Sequence, residues 1–213
     1  SFMYMKENEF LRRVIRLYHT ARKASFPNKK IRRGRSHTIA SRIEDLFALF
    51  LSKNTEADVI YVDQPISVPS FKKQYYPDIV LVRGKKIFAF CDLKTDMGFN
   101  RKGLFSLSRK KCAWLKQIKG KKCKIRDGIT KKDHFYSINR SVSYNIILIS
   151  DQNINSALLH SQLNKARKFK PAIEIFILTS GEHPNTYNIS IKKLMNKICI
   201  NYNDFKKLIK KLN

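Results

Sequence analysis

Tyr76-Pro77-Asp78-Ile79-Val80-Leu81-Val82-Arg83-Gly84-Lys85-Lys86-Ile87-Phe88-Ala89-Phe90-Cys91-Asp92-Leu93-Lys94 reads as two apolar strands joined by a tight basic turn at Gly84. With a loop of Gly84 to Lys86, Arg83 faces Ile87, and Asp78 falls directly opposite Asp92 on one face of the hairpin. Lys94 lies two residues beyond Asp92 and shares that face. A two-residue loop shifts the pairing by one and sends the carboxylates to opposite faces. Both registers stay open, because both faces of both strands are apolar. Phe88 and Phe90 accompany Asp92, while Ile87, Ala89, Cys91 and Leu93 lie on the other side. Strands apolar on both faces belong inside a sheet covered on both sides. Opposed like charges repel and are best tolerated beside a cation. Two acids and an ammonium at the end of a buried hairpin therefore mark a site.

The 213 residues suffice for one ample core, and 43% of them are hydrophobic, which excludes a disordered tail. A single domain is expected. Lysine and arginine number 44 against 16 acids, a formal charge of +28. Repulsion of that size opposes compact folding, so it points to a polyanionic partner, nucleic acid ahead of an anionic membrane. No apolar run approaches the roughly 18 residues of a membrane span. Residues 3–22 are interrupted by charges, unlike a secretory leader. The four cysteines show neither metal spacing nor a dense disulfide framework, and Cys91 reads as a small core residue. A cytoplasmic location is expected, with no membrane partner.

Apolar spacing predicts a helix over residues 5–23, broken at Pro27-Asn28. The basic loop that follows, with Arg33 and Arg35, is either a phosphate clamp or a solvated linker. A second helix is expected over residues 38–53, with Ile39, Ile43, Leu46, Phe47 and Phe50 inward and Glu44 at the stripe's edge. Two readings of Glu44 stand level: it looks into the protein, or Ser41-Arg42-Ile43-Glu44 forms a capping box. A strand over residues 58–68, bent or at an edge at Pro65, and a loop lead to the hairpin. Beyond Lys94, a turn precedes a helix over residues 104–119, with Arg109, Lys110, Lys111 and Lys116 on its exposed side. Asp96 in that turn is a cap or an accessory acid. Residues 120–140 read as a loop, with or without a short element in it, and 142–150 and 172–179 as buried strands around a helix at 154–169. The tail offers a short strand at 187–191 and then helix. Tyr75 and Tyr76 read as caps on the core ahead of groups that stack on a base, and the histidines as scattered structural residues. The order implies an α/β fold: one central mixed sheet flanked by helices.

Glu44 on a helix, Pro77-Asp78 opening a strand and Asp92-Leu93-Lys94 closing the next resemble the PD-(D/E)xK nuclease superfamily, most of all a type II restriction endonuclease. The resemblance implies a catalytic core of αβββαβ order over about residues 38–150, with the helix at 3–25 and residues 151–213 as additions. It implies that Asp78, Asp92, the Leu93 backbone carbonyl and Glu44 hold Mg²⁺, with Mn²⁺ able to substitute. Hard oxygen donors suit such an ion, which lowers the pKa of its water and neutralises phosphate. Lys94 would orient or deprotonate the attacking water. Duplex DNA is the implied partner, cut to leave 5′-phosphate ends, by a homodimer where the target is palindromic. Arg33, Arg35, Arg101 and Lys102 are the candidate phosphate contacts. A structure-specific or repair nuclease of the same superfamily and a non-cleaving nucleic-acid-binding protein are the alternatives.

Overall fold

A computed structural model describes residues 4–98 and 100–213 of the chain. Helices α1 (Glu7–Ala21) and α2 (Ala40–Asn54) come first, then strands β1 (Val59–Val62), β2 (Ile66–Val68), β3 (Lys73–Tyr75), β4 (Ile79–Arg83) and β5 (Lys86–Lys94). They are followed by α3 (Gly103–Ile118), β6 (Lys122–Arg126), β7 (Asp133–Ser150), α4 (Ser156–Ala166), β8 (Ile173–Gly181), α5 (Ile191–Lys197), β9 (Ile198–Ile200) and α6 (Tyr202–Leu212). Among the described residues, nine strands form one mixed sheet, so the α/β class expected from the pattern is the one observed.

The strands run in the order β1-β4-β5-β7, with β5 and β7 parallel. A parallel step needs a crossover, and α3 lies within it. Beyond β5, the two halves of β7 take different neighbours. Its first residues pair antiparallel with β6, which leads on to β2 and β3, and its last pair parallel with β8. Laid flat, β1 and β2 would stand five strand spacings apart, about 24 Å, yet four residues reach at most about 14 Å. The β6-β2-β3 wing therefore curls back over the β4–β5 hairpin, and the Tyr61 and Tyr136 hydroxyls meet at 2.7 Å. Tyr75, Ile66, Ile125 and the α3 residues Leu104 and Leu115 cover one face of the hairpin. Residues from α1, α2 and α6, including Phe10, Phe47, Phe50 and Phe205, cover the other.

The hairpin itself departs from both simple registers. Its turn has two residues, Gly84 and Lys85, with Arg83 opposite Lys86 and Gly84 at a left-handed φ of 57°. By itself that turn would split the carboxylates. A bulge at Phe88 absorbs one residue, so that Leu81 pairs with Ala89 and Ile79 with Cys91. The restored register carries Asp78 to the level of Asp92. The bulge also reverses two side chains: Ile87 joins the Phe90 face and Phe88 the Cys91 face, opposite to simple alternation.

Several other segments differ from their pattern. The region 120–140, too basic to show a clean alternation, is the β6–β7 hairpin, because only Cys123, Ile125, Tyr136 and Ile138 face inward. The 58–68 strand breaks into β1 and β2 around Asp63, which has a positive φ. Part of the loop before Tyr76 is β3, and the tail strand is β9 instead of 187–191. No helix among the described residues is long and apolar enough to cross a membrane.

Candidate functional site

Where β4 begins and β5 ends, Asp78 and Asp92 brace each other through the backbone. The Asp78 N–H donates to Asp92 Oδ1 at 3.3 Å, and the Leu93 N–H donates to Asp78 Oδ2 at 2.7 Å. Glu44 arrives from α2, and Lys94 is the last residue of β5. Glu44, Asp78, Leu93, Lys94 and Asp96 line one cleft of about 300 Å³. Asp92 is buried beneath it. The capping box does not form: α2 begins at Ala40 without a side-chain cap, which leaves Ser41 inside the helix and Glu44 facing the cleft.

Two of the cleft carboxylates, Glu44 and Asp78, hold their protons more tightly than usual. Glu44 is raised by burial and then by Asp78, Asp63 and Asp45; Asp78 is raised by burial and then by Asp92. Lys94 opposes both shifts without overcoming them. Glu44, Asp45, Asp63, Asp78 and Asp92 thus place five of the chain's 16 acids within electrostatic reach of one another along this cleft, in a protein with charge +28. Such a concentration stores negative potential that a bound cation would relieve.

Asp92 already has a cation, and it is not Lys94. Lys111 reaches down from α3 to within 3.0 Å of Asp92 Oδ2 and donates to the Tyr144 hydroxyl at 2.7 Å. The Tyr144 hydroxyl in turn donates to Asp92 Oδ1 at 2.5 Å. The ammonium lies over the Trp114 and Tyr144 rings at 4.3 and 4.6 Å from their centroids. Lys111 is therefore buried, not on the exposed side of its helix with Arg109, Lys110 and Lys116. The signal was present in the spacing. Leu104, Ser108, Lys111, Leu115 and Ile118 recur at alternating steps of four and three, which is one helix face.

No family model, curated protein or solved structure matches the chain. Its chemistry rests on the residues themselves. Among the described residues, no three His, Cys, Asp or Glu side chains converge closely enough to enclose a metal ion. The cleft instead offers the two proton-hungry carboxylates Asp78 and Glu44 beside the Leu93 backbone. That donor set fits Mg²⁺, which keeps several waters and takes one or two carboxylates together with substrate phosphate.

A second cleft, of about 840 Å³, adjoins the first and shares Ala40, Thr95 and Asp96 with it. Here Asp96 accepts from Gly98 N–H, which is the turn cap expected of it, and also from Asn153. His183 Nε2 lies 2.9 Å from Asp96 Oδ2, while His183 Nδ1 accepts from the Asn185 N–H, so Nε2 carries the proton that Asp96 receives. These partners hold the Asp96 carboxyl down to about 2, the His183 hydrogen bond contributing most. No local pattern could have found His183, which joins Asp96 across 87 residues of chain. Of the expected phosphate contacts, Arg101 lines this second cleft and Lys102 is exposed where α3 begins. Arg33 and Arg35 lie exposed on the basic loop, tied by an Arg33 Nε–H to Arg35 carbonyl bond of 2.9 Å.

Proposed function

We propose that the chain is a metal-dependent nuclease that hydrolyses DNA phosphodiester bonds. The observation that carries this is the acid-rich cleft, with Lys94 on its wall, in a protein whose remaining surface is strongly basic. Surface cations draw the phosphate backbone in. Asp78 and Glu44 would hold Mg²⁺ together with the Leu93 carbonyl, and the ion would supply an acidified water and charge relief at phosphate. Lys94 stands beside both carboxylates, where its ammonium can orient a water and offset charge growing on phosphate. Asp92, locked by Lys111 and Tyr144, positions Asp78 through its backbone. The likeness to PD-(D/E)xK enzymes supports cutting in the manner of a type II restriction enzyme, with 5′-phosphate ends.

A second reading is favoured by the Lys111–Asp92 ion pair: the buried acid would then be structural, in a protein that binds nucleic acid without cutting it. Incubation of supercoiled plasmid with the protein decides between them. Nicking in Mg²⁺ that stops in chelator, and stops in Asp78→Ala and Lys94→Ala while DNA is still bound, supports the nuclease. Binding without nicking under Mg²⁺ or Mn²⁺ supports the alternative. Discrete fragments, against cleavage confined to branched or mismatched substrates, would separate a restriction enzyme from a repair nuclease.

A further inference from the structure

The wing leaves one of its faces open. Along its strands Tyr75, Ile66, Ile125 and Tyr136 turn inward, so their neighbours turn out. Gln74 is opposite Ser67, Ser67 is opposite Lys124, and Lys124 is opposite Phe135. These residues form one row on the outer face across β3, β2, β6 and β7. Tyr76 extends it at the β3 end, its hydroxyl donating to Gln74 Oε1 at 2.6 Å. The row is polar in the middle and ends in two aromatic rings, Tyr76 at 63% and Phe135 at 66% exposure. Tyr76 was expected on the core; only its neighbour Tyr75 is there. Lys122, Arg126 and Lys86 lie on the same face, opposite Ser137, Asp133 and Ser137 respectively. Asp133 is neutralised by Lys124 at 3.1 Å. The face is therefore cationic, and its apolar groups are flat rings set apart among lysines. A protein partner would call for a contiguous apolar patch.

We infer that this outer face is a binding surface for single-stranded nucleic acid, with bases stacked on Phe135 and Tyr76 and the backbone held by Lys86, Lys122 and Arg126. Unpaired bases offer the free faces that such rings accept, whereas bases in a duplex already stack on one another. Three strand spacings separate Gln74 from Phe135, about 14 Å, a span of a few nucleotides. The Tyr76 end lies two residues from Asp78, so the bound strand would run from the cleft outward over the wing. The inference rests on the proposed function only in taking nucleic acid as the ligand.

The test is fluorescence anisotropy with a labelled ten-nucleotide oligothymidylate in chelator, where no cutting intervenes, using the full chain. Phe135→Ala should weaken binding roughly tenfold, since one stacked base is worth about 1–3 kcal/mol. Phe135→Trp should restore it. Lys122→Gln should lower the slope of log affinity against log salt by roughly one contact. Binding of a duplex of equal length should change by less than about twofold with Phe135→Ala, a surface substitution that leaves folding nearly unaltered. Wild-type affinity of Phe135→Ala for the oligothymidylate, or equal loss for single strand and duplex, would overturn the inference. Because it is read without metal, loss of plasmid nicking would bear on the nuclease proposal alone.

Discussion

Replacing Lys111 with methionine should cost the protein a large part of its stability. Lys111 and Asp92 have side chains only 9% and 6% exposed, so water screens neither charge. Removing one partner of a buried pair leaves the other charge uncompensated, a penalty of about 3–5 kcal/mol. Asp78, whose own carboxyl is pushed up by burial and then by Asp92, makes the vacancy worse. Loss of the ammonium over Trp114 and Tyr144 adds about 0.5–2 kcal/mol. Against a typical total of about 5–15 kcal/mol, that is roughly a quarter or more. Urea unfolding at neutral pH in chelator, followed by tryptophan fluorescence from the single Trp114, measures it. Lys111→Met with Asp92→Asn should recover most of the loss, because the asparagine carries no charge and its carbonyl can still accept from Tyr144. A loss below about 1 kcal/mol in Lys111→Met, or a double variant no more stable than the single, would refute the idea that Asp92 depends on this cation.

The remaining outcomes follow from the carboxylates. Asp78 and Glu44 have folded-state pKa values raised above the unfolded ones, so their contribution declines as pH rises from the ordinary carboxylate range through the raised values. Without metal, Asp78→Asn should therefore raise the melting temperature relative to wild type at neutral pH, and the gap should shrink on acidification. Mg²⁺ or Mn²⁺ should raise the melting temperature of wild type in a thermal-shift measurement and do less for Glu44→Gln and Asp78→Asn; equal shifts in all three would remove these residues from the ion site. Asp96, held at about 2, contributes stability present above its unfolded pKa and lost as pH falls toward 2, on the order of 2 kcal/mol. Acid unfolding of Asp96→Asn should lack that component, whereas an unchanged acid limb would argue against the His183 pairing. Lys94 joins no salt bridge among the described residues, so Lys94→Ala should abolish nicking while moving the urea midpoint little.

Much of the fold was legible because it is written in local periodicity. The apolar stripes of α2 and α3 and the doubly apolar β4–β5 run depend on neighbours within one or two turns. The β6–β7 hairpin was not legible, since its outer face is lysine and arginine and its inner residues are few. Glu44 could not be assigned from its motif alone. What rules out the cap is that α2 starts three residues after the basic loop closes onto α1, through the His37 N–H to Ala21 carbonyl bond.

From its order of residues alone the chain determines the identity of most of its elements, its cationic surface, and the presence of one acid on each strand of a hairpin. Only the tertiary structure decided how those acids meet. Gly84 permits a turn that would have separated them, and the bulge at Phe88 cancels the shift. A lysine one helix later, together with Tyr144 from a parallel neighbour, then holds Asp92 in place. Strand register and buried ion pairs depend on which distant groups share a low-dielectric space, and that is a property of packing that no short window of sequence contains.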